Sequence, residues 1–217
     1  MTRAQYDAIF KLLPDLHDRM SEDIPPRIQD SIFKHLNLIG KHGESDEDLL
    51  MAHAVMYALY GFRPGGQTVA EVYARREMGN ERRELQEFLG AIGNARFSIF
   101  EVVEPLPGQD EMQVRLRDEL DPSFNCAVWF RMLAELHKQK SVAGLLVAGY
   151  VVPVFGGHMH VSVLLTVSEE LLADATARKA AEGSKASVQA ELTKFITRRA
   201  LHEEMQLRDS AGQSDEV

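Results

Sequence analysis

Residues 141–168, SVAGLLVAGYVVPVFGGHMHVSVLLTVS, contain no Asp, Glu, Lys or Arg. A run of this kind can cross a membrane, hold a metal through His158 and His160, or fold as two buried strands. A spanning helix needs roughly 20 predominantly apolar residues, a length the run satisfies. However, Pro153 and the pair Gly156-Gly157 stand near its middle, valine is abundant, and its second half alternates polar with apolar residues. Period two has no purpose in a spanning helix. Two strands turning at PVFGG account for the proline, the glycines and the β-branched content together. The expectation is a buried strand pair and no membrane segment.

The same alternation sorts the side chains. His158, His160, Ser162 and Thr166 share one face, while Met159, Val161, Val163, Leu165 and Val167 share the other. Two histidines at i and i+2 of a strand project together and can chelate one ion. A complete site needs further ligands, and the next carboxylates, Glu169 and Glu170, fall at an expected helix start, with His202 the next histidine. His158 and His160 are therefore the metal candidates, and the preferred reading makes them solvated or hydrogen-bonded histidines.

The first half reads as five helices. Tyr6, Ile9, Phe10, Leu13, Leu16 and Met20 recur at helical spacing, with Pro14 expected to kink or split the segment. Pro25 and Pro26 suit the start of a second helix with Ile28, Ile32, Leu36 and Ile39 as its stripe. Ser45 with Asp48 announces a third that stops at Gly61. Thr68 with Glu71 opens a fourth as a capping box, and Leu85, Phe88, Leu89 and Ile92 mark the fifth. From Phe97 the period shortens to two: in MQVRLRD, Met112, Val114 and Leu116 alternate with Gln113, Arg115 and Arg117. FSIFEVVE, FNCAVWF and the two halves of the uncharged run bring the expected strands to five, enough for a small antiparallel sheet or barrel.

The chain returns to helix from Ser168, with Gly183 a candidate break. The fold class expected is α+β: a helical domain over 1–93, a small antiparallel β-domain over 94–167, a C-terminal helical segment over 168–208 and a disordered tail over 209–217. Val188, Leu192, Phe195 and Ile196 form an apolar stripe on the last helix, which packs on the N-terminal helices or on a second copy. It is the candidate surface for self-association.

With 217 residues and 45% of them hydrophobic, the chain can build a sizeable core. A formal net charge of −9 opposes general attraction to nucleic acid or anionic lipid. Cys126 is the single cysteine, which excludes an intrachain disulfide and suits a reducing cytoplasm. The opening segment carries Asp7, Asp15 and Asp18 among its apolar residues, unlike an export signal.

FRPGGQTVAEVYARREMGNERRELQEFLGAIGNARFSIFEVVEP resembles a group of uncharacterised bacterial proteins in which a helical region leads through such a run into a small β-domain. VRLRDEL and LLVAGYVVPVFGGHMHVSVLL are similar to that group's β-domain as well. The resemblance covers roughly residues 50 to 170 and implies the same fold. Many proteins of the group end in a short Cys- and His-containing zinc motif similar to that at the C-terminus of the preprotein translocase ATPase. This chain has no paired cysteines, so the resemblance implies no zinc knuckle here.

Other candidate groups have a plain structural reading beside the chemical one. Arg75, Arg76, Arg82 and Arg83 alternate with Glu77, Glu81, Glu84 and Glu87, the pattern of surface ion pairs. Arg115 and Arg117 on one strand face, with Phe124 and Trp129, are the nucleic-acid candidates, while Trp129 also suits a core. Cys126 shares the alternate positions of a strand with Phe124, Val128 and Phe130 and reads as a buried, inert thiol. Asp118, Glu119 and Asp121 cluster at a strand end, where acid–base work competes with an ordinary solvated loop. RPGGQT has backbone amides for an anion but no lysine to complete a phosphate site. No nucleophile elbow, Walker loop, HExxH or dinucleotide fingerprint is present, and no cofactor is implied.

The function expected first is a cytoplasmic, non-enzymatic interaction or regulatory protein acting through an unidentified protein partner or self-association. The alternative is a metal-dependent or acid–base enzyme using His158 and His160, and the third reading is nucleic-acid binding through a local arginine patch.

Overall fold

The structure, a computed structural model, describes residues 1–36, 47–63, 65–105, 112–182 and 186–212. Its class is α+β. The helices α1 (Arg3–Glu22), α2 (Pro26–Leu36) and α3 (Glu47–Met56) are followed by a π-helical turn, Tyr57–Gly61, then α4 (Val69–Glu77) and α5 (Arg83–Ala91). Strands β1 (Arg96–Pro105), β2 (Gln113–Asp118) and β3 (Asn125–Trp129) precede α6 (Arg131–His137). Strands β4 (Leu146–Val154), β5 (Gly157–His160) and β6 (Leu165–Thr166) lead into α7 (Glu169–Glu182) and α8 (Ala186–Gly212).

The helix signals act where their chemistry places them. Thr68 accepts from the Glu71 amide at 3.1 Å while the Glu71 carboxylate accepts from the Thr68 amide at 2.7 Å, so two orphan donors of α4 are satisfied reciprocally. In α1 the stripe Tyr6, Ile9, Leu13, Leu16 and Met20 is buried, and the helix runs unbroken through Pro14. The Ser45 cap and the break at Gly183 lie outside the described residues. α6 had no counterpart in the sequence reading, and α8 continues to Gly212, past residue 208.

The strands close on themselves. β1 pairs antiparallel with both β2 and β4, β2 with β3, and β4 with β5; β3 meets β5 in parallel at Trp129 and Met159, and β6 adds to β4. The sheet is thus a five-stranded closed barrel with an extra strand. The parallel contact departs from an all-antiparallel arrangement because α6 reverses the chain after β3, so β5 returns along the edge that β3 left open. The uncharged run is the β4–β5 hairpin, turning at Phe155 and Gly156 with φ of 50° and 68°, the left-handed backbone that two-residue hairpins demand.

Closure gives every β4 and β5 side chain a covered side. Phe100, Val102, Val114, Leu116, Val128, Phe130, Val147 and Val151 fill the barrel. Ile99, Ala148, Tyr150, Val152, Met159 and Leu165 face outward into one cluster with the stripes of α1, α5 and α8. The helical region and the barrel therefore share a core.

That shared core takes up the C-terminal stripe. Leu192 and Ile196 are 3% and 0% exposed within it, and α8 lies against α2, α7, β6 and the π-turn. Phe195 is half-buried with the Arg178 guanidinium 4.0 Å above its ring, and Val188 is half-buried. The stripe offered for self-association is corrected accordingly: its two central residues are occupied within the chain. Among the described residues, no helix is long and apolar enough to cross a membrane.

Candidate functional site

A cavity of about 500 Å³ opens where the π-turn, the start of β1, the end of β2, β4, α7 and α8 meet. That size suits a small organic ligand. Its formation begins with the π-turn, which inserts one extra residue so that the Phe62 amide donates to the Tyr57 carbonyl at 2.8 Å. Such turns often mark functional sites. All five residues of the turn are buried, and Gly61 is required by a close approach: a Cβ there would collide with the Tyr150 hydroxyl and stand 2.8 Å from the Tyr57 ring.

The Tyr150 side chain reaches this point from β4, held between Tyr60 and Phe97 at ring separations of 5.4 and 4.8 Å. Its hydroxyl is buried and has no hydrogen-bond partner among the described residues. Burial raises its pKa well above the usual phenol value, so it stays protonated. The Tyr60 hydroxyl, by contrast, shares a 2.8 Å hydrogen bond with His17 Nε2.

The polar wall is organised by Asp118. Its Oδ1 accepts from Ser98 Oγ at 2.5 Å and from the amides of Leu120 and Asp121 at 2.9 and 3.0 Å; its Oδ2 accepts from Arg96 Nη1 at 3.0 Å. Arg96 also donates to Asp121 at 2.8 Å and lies 5.0 Å over the Phe124 ring. Bonds from Ser123 and Arg96 pull the Asp121 carboxyl down to about 2. Lys179 of α7 donates to the Leu120 carbonyl, Gln189 of α8 to the Phe97 carbonyl at 3.0 Å, and Thr193 to the Gln189 carbonyl at 2.8 Å. Sequence reading singled out Asp118 and Asp121 but missed Tyr150, Arg96, Lys179 and Gln189, which are scattered over more than 90 positions of sequence.

The histidine pair lies elsewhere. His158 Nδ1 is 3.4 Å from Cys126 Sγ, and its ring stands edge-on to Phe124 at 5.2 Å. Burial, then Arg96, lowers its pKa, while burial pushes the Cys126 thiol up to about 11. His160 stacks on Phe130 at 3.6 Å and hydrogen-bonds Ser162 Oγ at 3.0 Å, with burial lowering its pKa to about 3. His160 is buried and His158 half-buried, both turned toward the barrel, while Thr166 of the same expected face is exposed. Among the described residues, no three His, Cys, Asp or Glu side chains converge in a way that could hold a metal ion.

Arg115 and Arg117 project from the outward face of β2. Arg117 is ion-paired with both Glu101 and Glu119, and Trp129 is buried in a stack on Tyr6 at 5.0 Å. Arg76 joins Asp23 at 2.5 Å and Glu77 at 2.6 Å. No family model, curated protein or solved structure matches the chain.

Proposed function

We propose that this protein is a non-enzymatic binding or regulatory protein whose ligand site is the cavity between barrel, π-turn and C-terminal helices. The observation that carries the reading is the Tyr150 hydroxyl. A buried donor without a partner costs about 1–3 kcal/mol, and a bound molecule that accepts its proton removes that cost. The walls of the cavity come from separate layers, so a ligand there touches the helical region, the barrel and α8 at once. Occupancy would then bias how these layers pack, which is what a regulator requires.

Cys126 beside His158 is the contact that favours an enzyme. Its chemistry points the other way: a thiol pushed up to about 11 is protonated at neutral pH, and the thiolate is the nucleophile. The pair fills the barrel interior instead.

The test is thermal stability of the purified chain across a panel of small metabolites. A ligand at a hundred times its dissociation constant stabilises the fold by about 2.7 kcal/mol, a rise in Tm of roughly 5–10 °C for a chain of this size. Saturable stabilisation with the compound recovered unchanged supports the reading. Turnover of the bound compound, or a full panel with no shift, overturns it.

A further inference from the structure

We propose that the cavity takes a small anion, a carboxylate or phosphate group carried on a compact apolar body. The inference rests on the binding reading above and supplies its ligand class from the balance of donors and acceptors in the walls. Arg63, Arg96 and Lys179 line the cavity with positive charge against Asp118 and Asp121. Glu71 pairs with Arg63 at 3.1 Å and Asp118 and Asp121 pair with Arg96, so Lys179 is the cation of the wall whose bond goes to a neutral carbonyl, that of Leu120.

Hydrogen bonding sharpens the contrast. Among the described residues, both oxygens of Asp118 are engaged, one of them three times over, and both oxygens of Asp121 are engaged by Ser123 and Arg96. Each oxygen of these charged acceptors thus already has a donor. Donors remain: among the described residues, Tyr150 has its hydroxyl proton unshared, Lys179 uses one ammonium hydrogen on the Leu120 carbonyl, and Arg63 directs only Nη1 to Glu71 and the Gly66 carbonyl. A cationic ligand would meet carboxylates already bonded to Arg96, and a neutral one would leave the Tyr150, Lys179 and Arg63 donors without a charged acceptor. An anion with two or more acceptor oxygens answers both, with charge-assisted bonds from Lys179 and Arg63 and a short bond from Tyr150. Phe97, Leu120 and Leu192 on the remaining walls fit an apolar body.

The experiment is calorimetric titration of the full chain with benzoate, phenyl phosphate and benzamide, the last having the same ring without the charge. Saturable binding of benzoate or phenyl phosphate is expected, with benzamide at least tenfold weaker, and the better of the two anions identifies the group. Tyr150→Phe and Lys179→Met should each weaken anion binding tenfold or more. Tyr150→Phe removes a hydroxyl that has no hydrogen-bond partner among the described residues, so its Tm should equal or exceed that of the parent, and loss of binding by this variant is then not a folding defect. Benzamide binding as tightly as the anions, or anion binding unchanged in both variants, overturns the anion class. If neither anion binds at millimolar concentration but a neutral compound gives stabilisation that Tyr150→Phe abolishes, the ligand class falls while the binding reading stands. If no compound gives Tyr150-dependent stabilisation, both fall.

Discussion

Three histidines hold much of the chain's expected sensitivity to acid. His17 and His53 are lowered to about 4 and His160 to about 3, in each case mainly by burial. In the unfolded chain they take up a proton near 6.5, whereas in the fold they resist it, so the unfolded state binds more protons between those values. Stability from these groups is complete above 6.5 and is lost as pH falls toward 4. At pH 5 each costs about 2 kcal/mol. Urea midpoints should drop steeply from pH 7 to pH 5, and His160→Gln should flatten that slope; a midpoint independent of pH over this range would refute the assignment. A second expectation concerns Thr197, 4% exposed on α8, whose Oγ1 has no hydrogen-bond partner among the described residues. Thr197→Val keeps the shape and removes the stranded hydroxyl, so it should be neutral or stabilising by up to about 1 kcal/mol. A loss of 1 kcal/mol or more in denaturant unfolding would show that the hydroxyl has a role within the fold.

At the scale of elements, α8 is a structural strut. Leu192 is 3% exposed in the shared core, and a carboxylate there is buried without a partner, which costs about 3–5 kcal/mol. Leu192→Asp should therefore lower the unfolding midpoint sharply, and it should do so at every protein concentration. A variant that kept the parent's Tm while changing only its mass by light scattering would restore the stripe as a surface between copies. This element also shows what sequence can and cannot disclose. Helical spacing made the stripe of α8 legible, and the capping residues Thr68 and Glu71 placed the start of α4, because both signals lie within a few residues of each other. What α8 packs against depends on contacts with α2 and the π-turn, more than a hundred positions away. α6 escaped notice because seven residues with no side-chain cap carry less than two turns of pattern. β5 was legible in part: alternation put His158 and His160 on one face as solvated or hydrogen-bonded side chains, and a small closed barrel under a helical layer makes them the latter. The polar positions His158 and His160 then look into the barrel beside Cys126 and Phe130. The cavity was legible only as the acidic cluster at the end of β2, since its donors come from elements that no local spacing connects.

The whole molecule is bound by one hydrophobic cluster that includes Tyr6, Leu16 and Phe88 from the helices and Ile99, Ala148, Val152 and Met159 from the outer wall of the barrel. A boundary near residue 93 divides the chain by periodicity but not by packing. Barrel residues excised as 94–168 would expose that outer wall to water, and each fully buried Leu, Ile, Val or Met side chain so exposed forfeits roughly 1.5–3 kcal/mol. A stability of about 5–15 kcal/mol for a domain does not survive several such losses. Trp129 provides the readout, since the single tryptophan is buried in β3 against Tyr6 of α1 and so reports on the seam itself. In urea, its fluorescence should change at the same midpoint as the far-ultraviolet circular dichroism of the helices, and the excised barrel should show neither a cooperative transition nor a buried-tryptophan spectrum. Two separated midpoints, or a barrel fragment that folds alone, would mean that the helical layer and the barrel are stable independently. The cavity would then lie between two units free to shift, and ligand binding should draw the two midpoints together.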